Sequence, residues 1–139
     1  MRKIIIASHH KLAAGLKDTL DYILGGVDNV VDISAYIDNK PVNETIDAVL
    51  EDIAASDEII VFTDLLGGSV NQAFFSYLSR DHFHVITGVN LPVIMTIALQ
   101  PNDTYLTDDM IQSAITEARE QLIYVNDFVA KLAIDDEDE

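Results

Sequence analysis

The chain has 139 residues, of which 49% are hydrophobic, and this is enough for one globular domain with its own core. A formal net charge of -16 makes nucleic acid and anionic membrane surfaces poor partners and favours a basic protein partner. The absence of cysteine excludes disulfides and thiolate metal sites, and no apolar run approaches the roughly 20 residues of a membrane helix.

The predicted elements alternate between strand and helix along the chain. Short apolar runs rich in Ile and Val predict strands at 3–8, 29–35, 59–62 and 82–87. Apolar residues at helical spacing predict helices at 12–24, 43–55, 69–78, 91–99 and 107–120. Gly25 and Gly26 are expected to end the first helix, while Ser69 and Thr107 are expected to cap the third and the last.

This alternation predicts an α/β fold with a doubly wound, mainly parallel four-stranded sheet in flavodoxin-like order. Residues 122–125 fit either a fifth strand or a continued helix, and both readings stay open. No repeat or linker divides the chain, so residues 1–134 are expected to form one domain. The acidic residues 135–139 are expected to form a disordered tail. The first residues lack a signal-peptide pattern, so a cytoplasmic protein is expected.

Ligands of doubly wound sheets bind where the strand order reverses, here between the first and third strands. His9 and His10 follow the first strand, and residues 64–69 follow the third. A neutral imidazole is a good nucleophile when its other nitrogen donates to a fixed acceptor, and Asp64 is the natural acceptor. The Gly67-Gly68 backbone and the Ser69 hydroxyl are candidate donors to a phosphate, and nothing in this chemistry requires a metal.

Each of these features also has an ordinary structural explanation. A loop histidine is usually a surface residue, an Asp after a strand is usually a turn former, and a Ser before a helix is usually a cap. In an extended segment His9 and His10 would point in opposite directions, so one acts and the other is a neighbour. His82 and His84 alternate on a predicted strand, but two ligands without a third do not make a metal site.

Three ordered motifs, at residues 4–16, 62–73 and 88–92, resemble the mannose-family IIA domain of the bacterial sugar phosphotransferase system. The resemblance covers nearly the whole chain. It implies that His9 carries a phosphoryl group, that Asp64 orients it, and that Ser69 and the Gly67-Gly68 backbone hold the phosphate. It implies no metal and no organic cofactor. The family usually has Gly where this chain has His10.

The same resemblance implies partners. The donor would be phosphorylated HPr, and the acceptor a IIB subunit on a separate polypeptide that serves the membrane IIC and IID subunits. A homodimer that exchanges a C-terminal strand is also implied. Two alternatives stay open: a subunit that feeds a dihydroxyacetone kinase, and a non-catalytic domain that senses a ligand. The sequence does not identify the sugar.

Overall fold

The computed structural model describes residues 1–138, which form four strands, six α-helices and a short 3₁₀ turn at Phe75–Tyr77. The strands and helices, in chain order, are β1 (Arg2–His9), α1 (Leu12–Leu24), β2 (Val30–Ala35), α2 (Val42–Glu51), β3 (Glu58–Thr63), α3 (Ser69–Gln72), β4 (Phe83–Thr87), α4 (Leu91–Ala98), α5 (Asp108–Arg119) and α6 (Val125–Asp138).

The four strands form one parallel sheet in the order β2-β1-β3-β4. The order reverses between β1 and β3, so the carboxyl ends of these two strands border a crevice. In the register of the sheet, Ala7 lies opposite Thr63 and His9 lies opposite Ala35. The predicted α/β class and flavodoxin-like order are therefore confirmed.

The sheet is buried on both faces, which explains why its central strands are apolar without alternation. One face carries Ile4, Ile6 and Phe62 and packs against α1, α4 and α5. The other carries Ile5, Ala7 and Val61 and packs against α2 and α3. Because β1 and β3 are in the middle of the sheet, both strands are held rigidly up to their ends.

A buried ion pair closes the opposite end of the sheet from the crevice. The Nε of Arg2 donates to Glu58 at 2.7 Å, and both side chains are less than 5% exposed. The same guanidinium donates to the carbonyl oxygens of Gln100 and Thr104, and the second oxygen of Glu58 accepts from the backbone N–H of Leu106. The pair therefore fastens the loop between α4 and α5 to the first residues of β1 and β3.

Most predicted helix ends agree with the structure, including the left-handed Gly25 after α1 and the Thr107 cap on α5, but α2 ends at Glu51 and not at residue 55. The third helix differs. It has four residues, its N-cap is Gly68, and Ser69 is its first residue with no capping hydrogen bond from the side chain. Residues 69–78 include several Ser, Asn, Phe and Tyr, which have modest helix propensities, so the segment breaks into α3 and a 3₁₀ turn.

The C-terminal segment is helical, which corrects two expectations. Residues 122–124 have no regular structure and α6 follows them, so the possible fifth strand is absent from the described residues. The helix continues to Asp138, so residues 135–138 of the expected disordered tail are helical, and Glu139 lies outside the described residues. Ala130, Lys131, Leu132 and Ala133 are good helix formers and favour this outcome. Within residues 1–138 no helix has the length and apolarity that crossing a membrane requires.

The buried pair generates a stability prediction. Arg2→Met should lower the free energy of unfolding by about 3–5 kcal/mol, because it leaves the Glu58 carboxylate buried without a partner. Lys17→Met is the matched control. It removes a 3.7 Å pair with Asp32 in which both side chains are about a third exposed, and should cost at most about 1 kcal/mol. Urea unfolding of both variants measures the difference, and equal losses would contradict the role assigned to the buried pair.

Candidate functional site

The crevice between β1 and β3 brings His9 and Asp64 into direct contact. His9 is the last residue of β1, and Asp64 follows β3 immediately. One carboxylate oxygen of Asp64, Oδ2, accepts from the His9 backbone N–H at 2.8 Å and lies 2.9 Å from the His9 Nδ1. The other oxygen accepts from the Leu65 backbone N–H at 3.0 Å. The carboxylate is therefore fixed on both sides, and so is the imidazole plane.

These contacts decide where the protons lie. Burial of Asp64 would by itself raise the pKa of its carboxyl, but hydrogen bonds from the His9 backbone and imidazole outweigh burial and lower that pKa below its ordinary value of 3.8. An ionised carboxylate only accepts, so we assign the proton of the neutral imidazole to Nδ1. The lone pair is then on Nε2, on the far side of the ring from Asp64.

The Nε2 side of His9 is open and faces two hydroxyl groups. The His9 side chain is 37% exposed, and the Ser69 Oγ lies 3.4 Å from Nε2, which is long for a hydrogen bond. The Tyr36 hydroxyl lies 2.5 Å from the Ser69 Oγ, and the Tyr36 ring is 5.5 Å from the imidazole. Sequence reasoning missed Tyr36. The location of Tyr36 could have been inferred from the sheet order, because Tyr36 follows β2, whose carboxyl end lies beside that of β1.

Gly68, in the loop after β3, lies beside His9, but the N–H groups of Gly67 and Gly68 already have acceptors. Gly67 donates to the Asn71 side chain, and Gly68 donates to the Leu65 carbonyl oxygen. A Cβ at Gly68 would stand 3.3 Å from the His9 Cε1, tighter than ordinary contact. Gly68 therefore allows the loop to approach the imidazole, while phosphate binding by either amide stays a prediction.

His10 does not join the site. β1 ends at His9, and His10 takes a left-handed backbone with φ 53° while its N–H donates to the Ala35 carbonyl oxygen. The expectation that His10 continues an extended segment is therefore wrong. Its side chain is exposed and makes no hydrogen bond within the described residues. The left-handed region of the backbone favours glycine, so a histidine at position 10 is strained.

The second pair of histidines lies elsewhere. His82 precedes β4 and stacks on Tyr105 with ring centroids 3.5 Å apart, while His84 is on β4 opposite Ile60. In the part of the chain that the structure describes, no three His, Asp or Glu side chains are arranged to hold a metal ion.

Comparison with known proteins adds a family match. The family EIIA-man, described as the PTS system fructose IIA component, matches residues 3–121. The mannose-specific EIIAB component of the Escherichia coli phosphotransferase system is 27% identical over 120 residues, which are 84% of this chain and 37% of that protein. The chain therefore spans little more than a third of that relative. The fructose-specific EIIA component of Bacillus subtilis is 25% identical over 70% of this chain and 68% of its own length.

Solved structures agree with these matches. The crystal structure of a Klebsiella pneumoniae protein that its title assigns to the phosphoenolpyruvate-dependent sugar phosphotransferase system has a TM-score of 0.84 and 35% identity over 92% of this chain and 93% of its own. The EIIA component from Streptococcus agalactiae has a TM-score of 0.73 and 27% identity over 91% of this chain and 98% of its own.

The left-handed backbone of His10 generates a second prediction. His10→Gly should raise the free energy of unfolding by about 0.5–1 kcal/mol, because it relieves the strain of a side chain at positive φ and removes an exposed side chain that makes no hydrogen bond within the described residues. His10→Val should lower it by more than about 1 kcal/mol, since a β-branched residue tolerates this region least. Urea unfolding distinguishes the two. If the valine variant were as stable as the parent, the backbone would not be held in the left-handed region.

Proposed function

Because this chain belongs to the EIIA-man family of phosphotransferase system IIA components, we propose that it is a cytoplasmic phosphocarrier that accepts a phosphoryl group from phosphorylated HPr on His9 and passes it to a IIB subunit. The observation that carries the proposal is the contact of His9 Nδ1 with Asp64, which leaves Nε2 as an exposed nucleophile. The covalent intermediate would be a phosphohistidine at Nε2.

The proposed transfer is an in-line exchange between two histidines. The lone pair of His9 Nε2 attacks phosphorus, the phosphorus–nitrogen bond of the donor histidine breaks, and the donor nitrogen leaves with the electron pair of that bond. His9 becomes positively charged while its Nδ1 proton stays hydrogen-bonded to Asp64. The fixed carboxylate stabilises this charge without reorganising, which is the main electrostatic contribution that the site offers. Transfer to the acceptor is the same step reversed.

The incoming phosphoryl oxygens need donors, and Ser69 is the nearest. Its Oγ is the hydroxyl that faces Nε2. Ser69 is also the first residue of α3, and the first N–H groups of a helix have no acceptor within the helix. The Gly67 and Gly68 amides would have to exchange their present acceptors to contribute. We therefore assign the phosphate contact first to Ser69 and second to the two glycines.

The surface around His9 fits a protein partner better than a small molecule. Several apolar side chains, each between 49% and 83% exposed, lie just beyond the strand ends that border the crevice, on the loops and at the start of α1. They are Leu12, Tyr36, Ile37, Leu65 and Leu66. An apolar surface on a chain of net charge -16 suits docking of a partner with a complementary basic rim.

Homodimer formation also stays a proposal. Four apolar side chains of α6 (Phe128, Val129, Leu132 and Ile134) are about half exposed, and a surface of this kind is usually covered by a partner. A strand exchange is not supported by these residues, because they are helical. The family membership and the names of the relatives favour a IIB acceptor over a dihydroxyacetone kinase.

The covalent intermediate can be tested directly. After incubation with phosphoenolpyruvate, enzyme I and HPr, the intact mass should increase by one phosphoryl group that mild acid removes. His9→Ala should gain none, because it lacks the nucleophile, and His10→Ala should gain as much as the parent. Full labelling of His9→Ala would refute the assignment of the residue. No labelling of the parent by active donors would instead favour a ligand-sensing domain.

Asp64→Asn tests the orienting role. An amide can present only one oxygen, so it cannot accept from both His9 and Leu65 as the carboxylate does. We expect phosphoryl acceptance from HPr to slow by about tenfold to a hundredfold while His9 remains the labelled residue. Stopped-flow or quenched-flow labelling measures the rate. Asp18→Asn, at an exposed position on α1, is the control, and an equal rate for both variants would count against the role.

The effect of Asp64→Asn on the free energy of unfolding should depend on pH. Because the folded-state pKa of Asp64 lies below its ordinary value of 3.8, the ionised carboxylate stabilises the fold fully above that value. This contribution is lost as the pH falls through the folded-state pKa. The difference in unfolding free energy between the parent and Asp64→Asn should therefore be largest at neutral pH and shrink toward pH 3. A difference that does not change with pH would show that the charge of Asp64 has no part in it.

A further inference from the structure

Tyr36 has a backbone conformation that the rest of the chain must hold in place. It is the first residue after β2, and its φ of 66° puts a bulky side chain in the left-handed region. A bulky residue in this region is a genuine outlier, and such residues cluster at functional sites. The His10 N–H, which donates to the Ala35 carbonyl oxygen, ties this turn to the end of β1. The strained turn directs the Tyr36 ring against His9.

The proton on Nδ1 sets the direction of every hydrogen bond that follows it. With the proton assigned to Nδ1, Nε2 can only accept, so in the 3.4 Å contact the Ser69 hydroxyl is the group that can donate. The Ser69 Oγ then has its lone pairs free toward Tyr36, so the Tyr36 hydroxyl donates to Ser69. The result is one oriented chain that runs from Tyr36 through Ser69 and His9 to Asp64.

We propose that Tyr36 is a positioning residue for phosphoryl transfer, whose hydroxyl holds the Ser69 Oγ beside His9 Nε2 so that Ser69 donates to the arriving phosphoryl group. This inference rests on the proposed function, since it needs a phosphoryl group on His9. It assigns Tyr36 no contact with phosphorus, and its effect passes through Ser69.

The two distances of the chain show which contact controls the serine. The Tyr36–Ser69 contact is short at 2.5 Å, whereas the Ser69–His9 contact is 3.4 Å. A serine hydroxyl has three staggered positions, and the tighter contact selects among them. The looser contact is the one that an incoming phosphoryl oxygen would replace. Tyr36 therefore keeps Ser69 in place during the step in which Nε2 becomes bonded to phosphorus.

The test uses the full chain, two donors and a pair of tyrosine variants. Phosphorylated HPr reports on the proposed pathway. Phosphoramidate is a small chemical donor: the Nε2 lone pair forms the new nitrogen–phosphorus bond, the donor bond breaks, and ammonia leaves. His9→Ala gives the background from other histidines for each donor. Tyr36→Phe removes the hydroxyl and keeps the ring, and Tyr22→Phe, at a position 88% exposed on α1, is the matched control.

We expect Tyr36→Phe to slow His9 labelling by about threefold to tenfold with either donor, the effect of losing one hydrogen bond. With HPr, the loss should be in the maximal rate and not in the half-saturating concentration of the donor. Tyr22→Phe should label at the parent rate. A Tyr36→Phe variant that labels as fast as the parent, or one that only raises the half-saturating concentration, overturns the inference.

A double-mutant cycle separates positioning through Ser69 from a general structural effect. In a Ser69→Ala background, the Tyr36 hydroxyl has no oxygen to hold, so adding Tyr36→Phe should slow labelling no further. An equal slowing in both backgrounds overturns the inference.

The two donors also separate the two proposals. If HPr labels nothing while phosphoramidate shows the dependence on Tyr36, the HPr pathway fails and the positioning role stands; if both donors label Tyr36→Phe at the parent rate, only the positioning role fails.

Discussion

The parallel pairing of β1 with β3 sets the distance between His9 and Asp64, and the rest of the site depends on it. Both strands are central in the sheet and buried on both faces, so neither end can shift without disturbing the core. The Asp64 carboxylate accepts from the backbone and the side chain of the same histidine. One residue after a strand therefore fixes the position, tautomer and plane of the imidazole.

The two ends of the sheet are built differently: the amino ends of the central strands are closed, whereas the carboxyl ends border the site around His9. The amino ends of β1 and β3 are closed by the buried pair of Arg2 and Glu58, which bond to each other and to backbone groups of the loop between α4 and α5. The carboxyl ends have left-handed residues at His10, Tyr36 and Gly67, which turn the chain sharply away from the sheet. The turn at Tyr36 brings its ring against His9, the loop after β3 brings the Ser69 hydroxyl to Nε2, and the stability of the core sustains the strain at His10 and Tyr36.

The sequence was sufficient to predict the fold class, the strand order and the meeting of His9 with Asp64. Each of these follows from buried apolar runs and from the rule that strand ends meet at the switch point. It was not sufficient for α3 or α6. The helix expected after Ser69 is cut short, and the segment 122–125 had apolar residues compatible with either state, because tertiary contacts and neighbouring residues decide such cases.

Tyr36 escaped prediction, and so did the backbone conformation of His10, for a related reason. Both residues have positive φ angles at the ends of two adjacent strands, and no local pattern in the sequence predicts a tyrosine or a histidine in that conformation. The position of Tyr36 beside the end of β1 does follow once the sheet order is known, because Ala35 lies opposite His9.

The proposed role of phosphocarrier requires a nucleophile that is exposed to protein partners and still oriented between encounters. At this site the two requirements are divided between the two ring nitrogens of His9. Nδ1 is held by a carboxylate whose side chain is 9% exposed, while Nε2 is left with one long contact to a serine. Because the tight contacts lie on the side of the ring away from the transfer, access to Nε2 does not require breaking what orients it. The 3.4 Å contact with Nε2 holds the Ser69 hydroxyl only loosely, and the 2.5 Å contact with Tyr36 is the second constraint that fixes it.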